Sequence, residues 1–250
     1  MAQIIALANQ KGGVTKTTST YNIATSLSYK NYWVLMIDLD PQASLTILAG
    51  REPEEFDHNI THFLKGEVEP EKCMYPVNDH LFLVPSIIDL ASTELEINGR
   101  TAREHTLKKA LKKVEDKFDF IFIDCPPQLT VLTLNALTVA TSVIIPCQTD
   151  YLAYRGLTAL QDTISDVKEY LNPNIEILGV IATLFDSRIK DNREILAELQ
   201  EKYKVLGIIK KTAKANKGIY DGLPVVIFDK YSDIAQEYQK IATYLLQAGQ

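Results

Sequence analysis

The sequence predicts a doubly wound α/β fold, in which a mainly parallel sheet carries helices on both faces. Short apolar runs, typical of buried parallel strands, alternate along the chain with segments of helical periodicity. The first apolar run leads through a glycine-containing loop into a helix, and two later runs end in aspartates. Acidic residues at the ends of buried strands indicate a site at the carboxyl edge of the sheet.

The alternation extends over most of the chain. Strands are predicted over residues 4–8, 33–40, 81–85, 120–124, 142–146, 175–184 and 205–209. Helices are predicted over residues 17–29, 43–48, 60–64, 89–97, 101–118, 132–139, 152–170, 193–203 and 234–245. The helix over 101–118 is amphipathic, since its apolar residues recur at helical spacing and its lysines occupy the other face. We expect one domain over residues 1–250, with an irregular acidic segment at 51–80 as its peripheral part.

Composition narrows the class of protein. The chain has 250 residues, of which 46% are hydrophobic and 23% charged, as in ordinary globular proteins. No apolar run approaches the ~20 residues of a membrane span, and no signal peptide opens the chain. Its three cysteines, Cys73, Cys125 and Cys147, lack metal-type spacing. These features predict a cytoplasmic protein.

Charge is unevenly distributed along the chain. The net charge is −6, and acids dominate between residues 52 and 71. Between residues 202 and 217 there are six lysines and no acid. A cluster of one sign on an acidic protein is a candidate anion-binding patch, and the competing interpretation is a solvated surface.

The loop after the first strand is the strongest functional motif. It reads Lys11-Gly12-Gly13-Val14-Thr15-Lys16-Thr17-Thr18, the strand–loop–helix layout of a phosphate-binding P-loop. All eight residues are candidate nucleotide contacts, with Lys16 on the β- and γ-phosphates and the Thr17 hydroxyl on Mg²⁺. The standard pattern has glycine where Thr15 and Gln10 stand, so the loop alone leaves open a plain strand-to-helix turn.

Acidic residues close the second and the fourth predicted strands. Asp38 and Asp40 are two residues apart, so on a strand they project to the same side. Asp124 ends the run 120–124, where an acid in a P-loop protein supports the Mg²⁺ shell. The competing interpretation of Asp124 is a capping residue in a turn.

Three separated motifs together resemble those of the ParA/MinD family of deviant-Walker P-loop ATPases. They are the loop from Asn9 to Thr18, the run Asp38-Leu39-Asp40-Pro41-Gln42, and the run from Ile121 to Pro127. In order and spacing they are most similar to small, Soj-like ParA partition proteins. The similarity extends from Ile4 to the C-terminal helix and is weakest between residues 51 and 80.

The resemblance implies a nucleotide-switched homodimer. In that family two subunits close over two ATP molecules, and the early loop lysine, here Lys11, reaches the partner's phosphates. It implies catalytic roles for Lys11, Lys16 and Asp40, with Asp40 on the attacking water, and Mg²⁺ support from Thr17, Asp38 and Asp124. ATP and Mg²⁺ are the implied cofactors.

The resemblance also implies ATP-dependent binding to nonspecific double-stranded DNA on the nucleoid, and a ParB-like centromere-binding partner that stimulates hydrolysis. By position, Arg188 and Lys214 match the family's basic DNA contacts, and Lys210, Lys211 and Lys217 extend that patch. The implied function is plasmid or chromosome partition.

Other functional hypotheses are compatible with the same fold. A MinD-type ATPase needs a basic amphipathic C-terminal tip, but no basic residue follows Lys240. An iron–sulfur carrier needs a cysteine pair, and neither Cys125 nor Cys147 has that spacing. A nucleotide-locked scaffold that scarcely hydrolyses ATP would follow if Thr15 distorts the loop. A positioning ATPase for a cargo other than DNA is the remaining alternative.

Overall fold

Eight strands form one sheet in the computed structural model, which describes residues 2–211 and 221–248. They are β1 (Gln3–Leu7), β2 (Val34–Asp38), β3 (Tyr75–Asn78), β4 (Leu81–Val84), β5 (Phe120–Asp124), β6 (Ser142–Gln148), β7 (Glu176–Phe185) and β8 (Val205–Lys210). Their order across the sheet is β3-β4-β2-β5-β1-β6-β7-β8. Every neighbouring pair is parallel except β3 and β4.

Helices cover both faces of the sheet. They are α1 (Lys16–Ser28), α2 (Ser44–Leu48), α3 (Ile60–Lys65), α4 (Leu90–Asn98), α5 (Thr106–Leu111), α6 (Val131–Val139), α7 (Tyr151–Tyr170), α8 (Lys190–Lys202), α9 (Val225–Phe228) and α10 (Asp233–Ala248). Residues of α3 to α8 pack into one hydrophobic cluster, and those of α1, α2, α9 and α10 into the other. The predicted doubly wound, mainly parallel fold is confirmed.

The central strands position the site. All five residues of β2 and of β5 are buried, as expected of strands that are covered on both faces. Across the sheet Asp124 is in register with Leu7 on one side and with Asp38 on the other. The carboxyl ends of β1, β2 and β5 therefore meet at one edge, beside the start of α1.

The predicted helix over residues 101–118 is wrong. The structure has a short 3-10 turn at Arg103–His105, then α5, then a second 3-10 turn at Glu115–Lys117. Ala102 adopts a left-handed φ of 53°, which no α-helix contains. The apolar residues Leu107, Leu111 and Val114 are nevertheless fully buried. Spacing of three and four residues suits α- and 3-10 turns alike, so the pattern predicts the buried face but not the helix length.

The acidic segment at 51–80 is more integrated than expected. Its strand β3 is the antiparallel edge of the sheet, where Pro76 is tolerated. Its helix α3, however, places Ile60 and Phe63 in the larger core cluster with at most 1% of their surface exposed. Only part of this segment is peripheral. No helix in the described ranges has the length and apolarity needed to cross a membrane.

Candidate functional site

The loop between β1 and α1 is held open by contacts from neighbouring strands. The Asn9 side-chain amide donates to the Pro146 carbonyl (2.7 Å), and its oxygen accepts from the Lys11 backbone N–H (2.9 Å). The Thr183 hydroxyl donates to the Val14 carbonyl (3.2 Å). Two of these three bonds join the loop to β6 and β7, so the sheet fixes the position of the loop. We call residues 9–18 the phosphate loop.

Two residues of the phosphate loop have positive φ. Gly13 has φ 74°, and a Cβ added there would meet no atom within 4 Å, so the space in front of it is open. Thr15 has φ 66° and ψ 27° and forms the N-cap of α1. A left-handed conformation costs a non-glycine residue about 1–2 kcal/mol. Thr15 thus occupies a left-handed backbone position that favours glycine.

Lys16, the first residue of α1, is folded back onto the phosphate loop. Only 7% of its surface is exposed, and its ammonium donates to the carbonyls of Asn9 (3.1 Å) and Lys11 (3.2 Å). Burial lowers the pKa of this ammonium, and the carboxylates of Asp124 and Asp40 oppose that shift. Carbonyl dipoles are weak partners for a buried cation, so an anion in the loop would attract this ammonium strongly.

Asp38 and Asp124 are buried carboxylates side by side at the ends of β2 and β5. Asp38 accepts two hydrogen bonds from Thr46, both at 2.8 Å, and one from the Asp40 N–H at 3.3 Å. Despite these bonds, burial raises the pKa of Asp38 to about 7. Burial, followed by the neighbouring Asp38 carboxylate, also raises the pKa of Asp124. Two carboxyls in one buried site therefore favour their protonated forms, and a bound cation would favour their ionised forms.

Thr17 and Asp124 fit a magnesium site. The Thr17 hydroxyl donates to Asp124 Oδ2 at 2.7 Å, while Asp124 Oδ1 is buried without a hydrogen-bond partner. Hydroxyl and carboxylate oxygens are the donors that Mg²⁺ prefers, and an orphaned carboxylate oxygen is satisfied by a metal-bound water. The described residues contain no cluster of three or more His, Cys, Asp or Glu side chains suited to a metal. A magnesium ion here would therefore need phosphate oxygens and waters to complete its shell.

Asp40 lies in a turn and not on the strand. β2 ends at Asp38, so the expectation that both carboxylates project from one strand is wrong. Asp40 is half-buried, and its Oδ1 accepts from the Gln42 N–H at 2.9 Å. Since Pro41 forces the chain to turn, Asp40 stands at the rim of the site, accessible to solvent.

Lys11 has a partner that the sequence did not identify. Its ammonium lies 2.6 Å from Asp150 Oδ2, across 139 residues of sequence. Asp150 is also the N-cap of α7, where its Oδ1 accepts from the Ala153 N–H at 2.9 Å. Although partial burial acts to raise the pKa of Asp150, the bond from Lys11 and the cap bond together lower it. An Asp before an amphipathic helix signals a cap, but its pairing with Lys11 exists only in the fold.

The predicted DNA-contact residues that the structure describes lie together. Arg188 follows β7, and Lys210 ends β8 with Lys211 after it, so all three stand at the carboxyl edge of the sheet. Lys210 is in register with Phe185, whose carbonyl accepts from the Lys211 N–H. We call Arg188, Lys210 and Lys211 the basic edge. Lys214 and Lys217 lie outside the described residues.

Charges in the basic edge are exposed and partly matched by acids. The Arg188 side chain is 87% exposed and contacts Asp186 at 2.6 Å. The Lys210 side chain is 60% exposed and contacts Asp233 at 2.8 Å. Exposed pairs of this kind contribute little to stability, so both cations are available to a polyanion.

The three cysteines are all buried. Burial raises the pKa of the Cys73 thiol to about 11, that of Cys147 to about 12, and that of Cys125 further still. Thiols in such surroundings are inert packing groups.

Comparison with known proteins gives concordant similarities. A family model described as an AAA domain matches residues 2–177. The sporulation initiation inhibitor protein Soj of Bacillus subtilis is 34% identical over 253 residues, and the alignment covers 100% of both chains.

Solved structures extend the similarity to nucleotide complexes. A cobyrinic acid a,c-diamide synthase of Mycobacterium smegmatis with bound ADP and magnesium has a TM-score of 0.87 and 37% identity, covering 100% of this chain and 97% of the other. A putative plasmid partition protein of Borrelia burgdorferi bound to AMPPNP has a TM-score of 0.84 and 30% identity, covering 99% and 100%.

Proposed function

This chain belongs to the Soj/ParA family of P-loop ATPases, and from that premise we propose that it is an ATP-dependent dimerising ATPase. In this proposal it binds nonspecific DNA on the nucleoid and drives plasmid or chromosome partition with a ParB-like partner. One observation carries the proposal: the phosphate loop is preformed around Lys16, next to a buried Thr17–Asp124 pair with an unsatisfied carboxylate oxygen.

ATP and Mg²⁺ are the proposed cofactors. The ADP and magnesium of the Mycobacterium relative and the AMPPNP of the Borrelia relative support them. Backbone N–H groups of residues 11–18 would surround the phosphates, and the positive end of α1 would favour their charge. Thr17, Asp38 and Asp124 would hold magnesium and its waters, and the bound metal supplies charge neutralisation on the β- and γ-phosphates.

Lys16 and Asp40 would act on the γ-phosphate in different ways. Lys16 would leave the neutral carbonyls of Asn9 and Lys11 and bond to charged phosphate oxygens, which are stronger partners for an ammonium. Asp40 stands at the solvent side of the site, where a carboxylate can orient or polarise an attacking water. This division of roles follows from which side chain is buried and which is at the rim.

Lys11 would couple hydrolysis to dimerisation. Its side chain is 34% exposed and is held by Asp150, so the ammonium stands at the open side of the phosphate loop. When a second subunit closes over the site, phosphates of greater negative charge compete with Asp150 for this ammonium. A cation supplied across the interface stabilises the charge that develops in the transition state, so turnover depends on the dimer.

The basic edge would carry the DNA contact. Arg188, Lys210 and Lys211 are exposed on the same edge as the phosphate loop, with Lys214 and Lys217 proposed to extend it. Pairing two subunits doubles the number of phosphate contacts, which strengthens binding without a new kind of contact. A DNA affinity that depends on ATP follows from this arrangement.

Two other functions fit the chain less well. A nucleotide-locked scaffold would follow if the left-handed Thr15 hindered turnover, but the loop around Thr15 is otherwise intact. The Mycobacterium relative is named as a diamide synthase, which suggests the formation of amide groups. If such a reaction took its nitrogen through a cysteine nucleophile, it would need a reactive thiol, and all three thiols here are buried.

The test is the oligomeric state as a function of nucleotide. Light scattering coupled to size exclusion should give a monomer without nucleotide and with ADP, and a dimer with Mg²⁺ and a non-hydrolysable ATP analogue. Lys11→Ala should still bind the analogue while ATP turnover is lost. A mass that is independent of nucleotide, or turnover that does not depend on protein concentration, would contradict the proposed dimer switch.

A further inference from the structure

A second cavity lies at the other end of the helix that starts in the phosphate loop. It has a volume of about 450 Å³ and lies between the C-terminal part of α1, helix α9 and helix α10. Thr25, Tyr29 and Lys30 line it from α1. Volumes of 300–1,000 Å³ are typical of small-molecule sites. Since α1 has 13 residues, it is roughly 20 Å long, so this cavity is separate from the phosphate loop.

One wall of the cavity presents an unsatisfied buried hydroxyl. Thr25 is only 3% exposed, and its Oγ1 has no hydrogen-bond partner in the described structure. The adjacent Ser26 hydroxyl donates to the Asn22 carbonyl (2.8 Å), which leaves its oxygen free to accept. A buried hydroxyl without a partner loses stability unless something in the cavity bonds to it. Because Thr25 Oγ1 is covered, a rotation about χ1 of Thr25, which lines the cavity, would be needed to bring its hydroxyl to a ligand.

Two lysines give the cavity a positive charge. Lys30 and Lys230 line it, and its lining includes no acidic residue. In the parts of the chain that the structure describes, neither ammonium forms an ion pair, although Lys230 lies 5.0 Å from the centre of the Tyr231 ring. The protein as a whole has a net charge of −6, so an acid-free cavity with two lysines is a local exception. Such a cavity attracts a small anion.

The remaining walls are apolar or aromatic. Val226 is 5% exposed and forms an apolar wall with Ile227, while the Tyr29 ring is 65% exposed at the mouth. The Gln239 amide completes the lining from α10. An exposed tyrosine beside an aliphatic wall suits a flat ring, which can stack on the one and pack on the other.

We propose that this cavity binds a small aromatic phosphate monoester. A phosphate monoester carries −1.5 to −2 charges at neutral pH, which matches two ammonium groups, and its oxygens accept from the Thr25 hydroxyl. Its ring lies between Tyr29 and the Val226–Ile227 wall. The site is independent of the proposed ATPase function and is occupied at the same time as the phosphate loop.

Phenyl phosphate is the probe, titrated by calorimetry into protein whose phosphate loop is saturated with Mg²⁺ and AMPPNP. The wild-type protein binds it saturably at one site. Lys30→Ala combined with Lys230→Ala lowers the affinity at least tenfold, whereas Lys240→Ala, a lysine of α10 outside this cavity, leaves it unchanged. Inorganic phosphate and phenol, which each supply half of the chemistry, bind at least tenfold more weakly than phenyl phosphate.

Thr25 provides the sharper pair of variants. Thr25→Val removes the hydroxyl at nearly constant volume and lowers the affinity about fivefold, the effect of one hydrogen bond. Thr25→Ser keeps the hydroxyl and retains the wild-type affinity. Because the hydroxyl has no protein partner, Thr25→Val melts at the wild-type temperature or above. Absence of saturable binding, equal affinities in all variants, or equal affinity for inorganic phosphate would each overturn the proposal.

Discussion

In the phosphate loop and the strand ends beside it, Lys16, Asp38 and Asp124 have at most 7% of their surface exposed, whereas the side chains of Arg188 and Lys210 in the basic edge are 87% and 60% exposed. Buried charges are costly until a ligand neutralises them, so their positions are fixed by the fold and their pKa values shift. Exposed charges are paired with nearby acids and cost little. Under the proposed function, the first region binds one ligand of fixed shape, and the second binds a long polyanion of any sequence.

The largest effect should come from Lys16→Ala. Removing one preorganised charge donor from a site of this kind lowers turnover by roughly 10²- to 10³-fold. Folding should survive, because the ammonium bonds only to two loop carbonyls. Steady-state kinetics would measure the loss of ATP turnover, and a thermal melt would show whether the variant is folded. Lys112→Ala, at the exposed end of α5, is the control, and an equal loss of turnover in that variant would break the distinction between the two regions.

Asp38→Asn tests whether burial of the Asp38 carboxylate lowers the free energy of unfolding at neutral pH. Because the pKa of Asp38 is raised to about 7 in the folded state, the folded protein holds a proton that the unfolded chain releases above about pH 4. The stability that this proton gives is therefore complete below pH 4 and is lost as the pH rises to 7.

Relative to wild type, Asp38→Asn should gain stability between pH 5 and pH 8 by on the order of 3 kcal/mol. Denaturant unfolding of nucleotide- and metal-free protein at both pH values measures this gain. Asp40→Asn, the same substitution at the half-buried rim of the site, should gain much less stability over this pH interval. If the stability difference between Asp38→Asn and wild type were the same at pH 5 and pH 8, burial of the Asp38 carboxyl would not be its cause.

Charge reversal in the basic edge should affect DNA and leave the phosphate loop intact. Arg188→Glu with Lys211→Glu should weaken binding to random duplex DNA by about 10- to 100-fold and reduce the slope of log affinity against log salt by about 2. ATP turnover without DNA should stay within about twofold, since both side chains are exposed and salt screens their charges. Lys108→Glu with Lys112→Glu makes the same charge change on α5. If both pairs weaken DNA binding equally, the contact is not localised to the basic edge.

Asp150→Asn probes the ion pair between the phosphate loop and α7. Stability should fall by less than about 1 kcal/mol, because both side chains are about one-third exposed. Since Lys11 is released, the ATP concentration for half-maximal dimerisation should fall about two- to fivefold. Because the pKa of Asp150 is lowered in the folded state, the contribution of the pair is present above the usual carboxyl pKa and is lost as the pH falls below it, where the two proteins should converge. A higher ATP requirement in the variant would mean that Asp150 assists the dimer.

Thr15→Gly should have the smallest effect. Relief of the left-handed strain is worth about 1–2 kcal/mol, and the greater freedom of glycine in the unfolded chain offsets about 0.5–1 kcal/mol of it. We expect a net gain of about 0–1.5 kcal/mol in unfolding free energy by chemical denaturation. Gly66→Thr, which imposes threonine at another φ of 69°, should lose stability. A destabilised Thr15→Gly would indicate that the Thr15 side chain supports the loop.

The sequence predicted the fold class and the positions of the buried candidate residues, for a physical reason. Strand ends such as Asp38 and Asp124 are defined by continuous apolar runs, and parallel strands bring those ends to one edge. The loop motif gave Lys16 and Thr17 their places at the start of α1. At these positions the local sequence pattern and the fold agree, so the pattern predicts which residues meet at the edge of the sheet.

Features that depend on distant partners were not predictable. The Lys11–Asp150 pair joins residues 139 apart, and the cavity beside Thr25 exists only because residues of α9 and α10 lie against α1. The helix over 101–118 failed because Ala102 and the 3-10 turns break it without a proline or glycine at those positions. The spacing of exposed lysines in the sequence does not distinguish a binding surface from a solvated one.

Binding to random-sequence duplex DNA, measured without nucleotide, with ADP and with ATP across a salt series, tests the central claim most directly. The account predicts binding only with ATP, a steep fall with salt and loss in Lys16→Ala, because the phosphate loop must assemble the dimer that doubles the basic edge. Binding that is equal in all three nucleotide states, or absent from each of them, would contradict it.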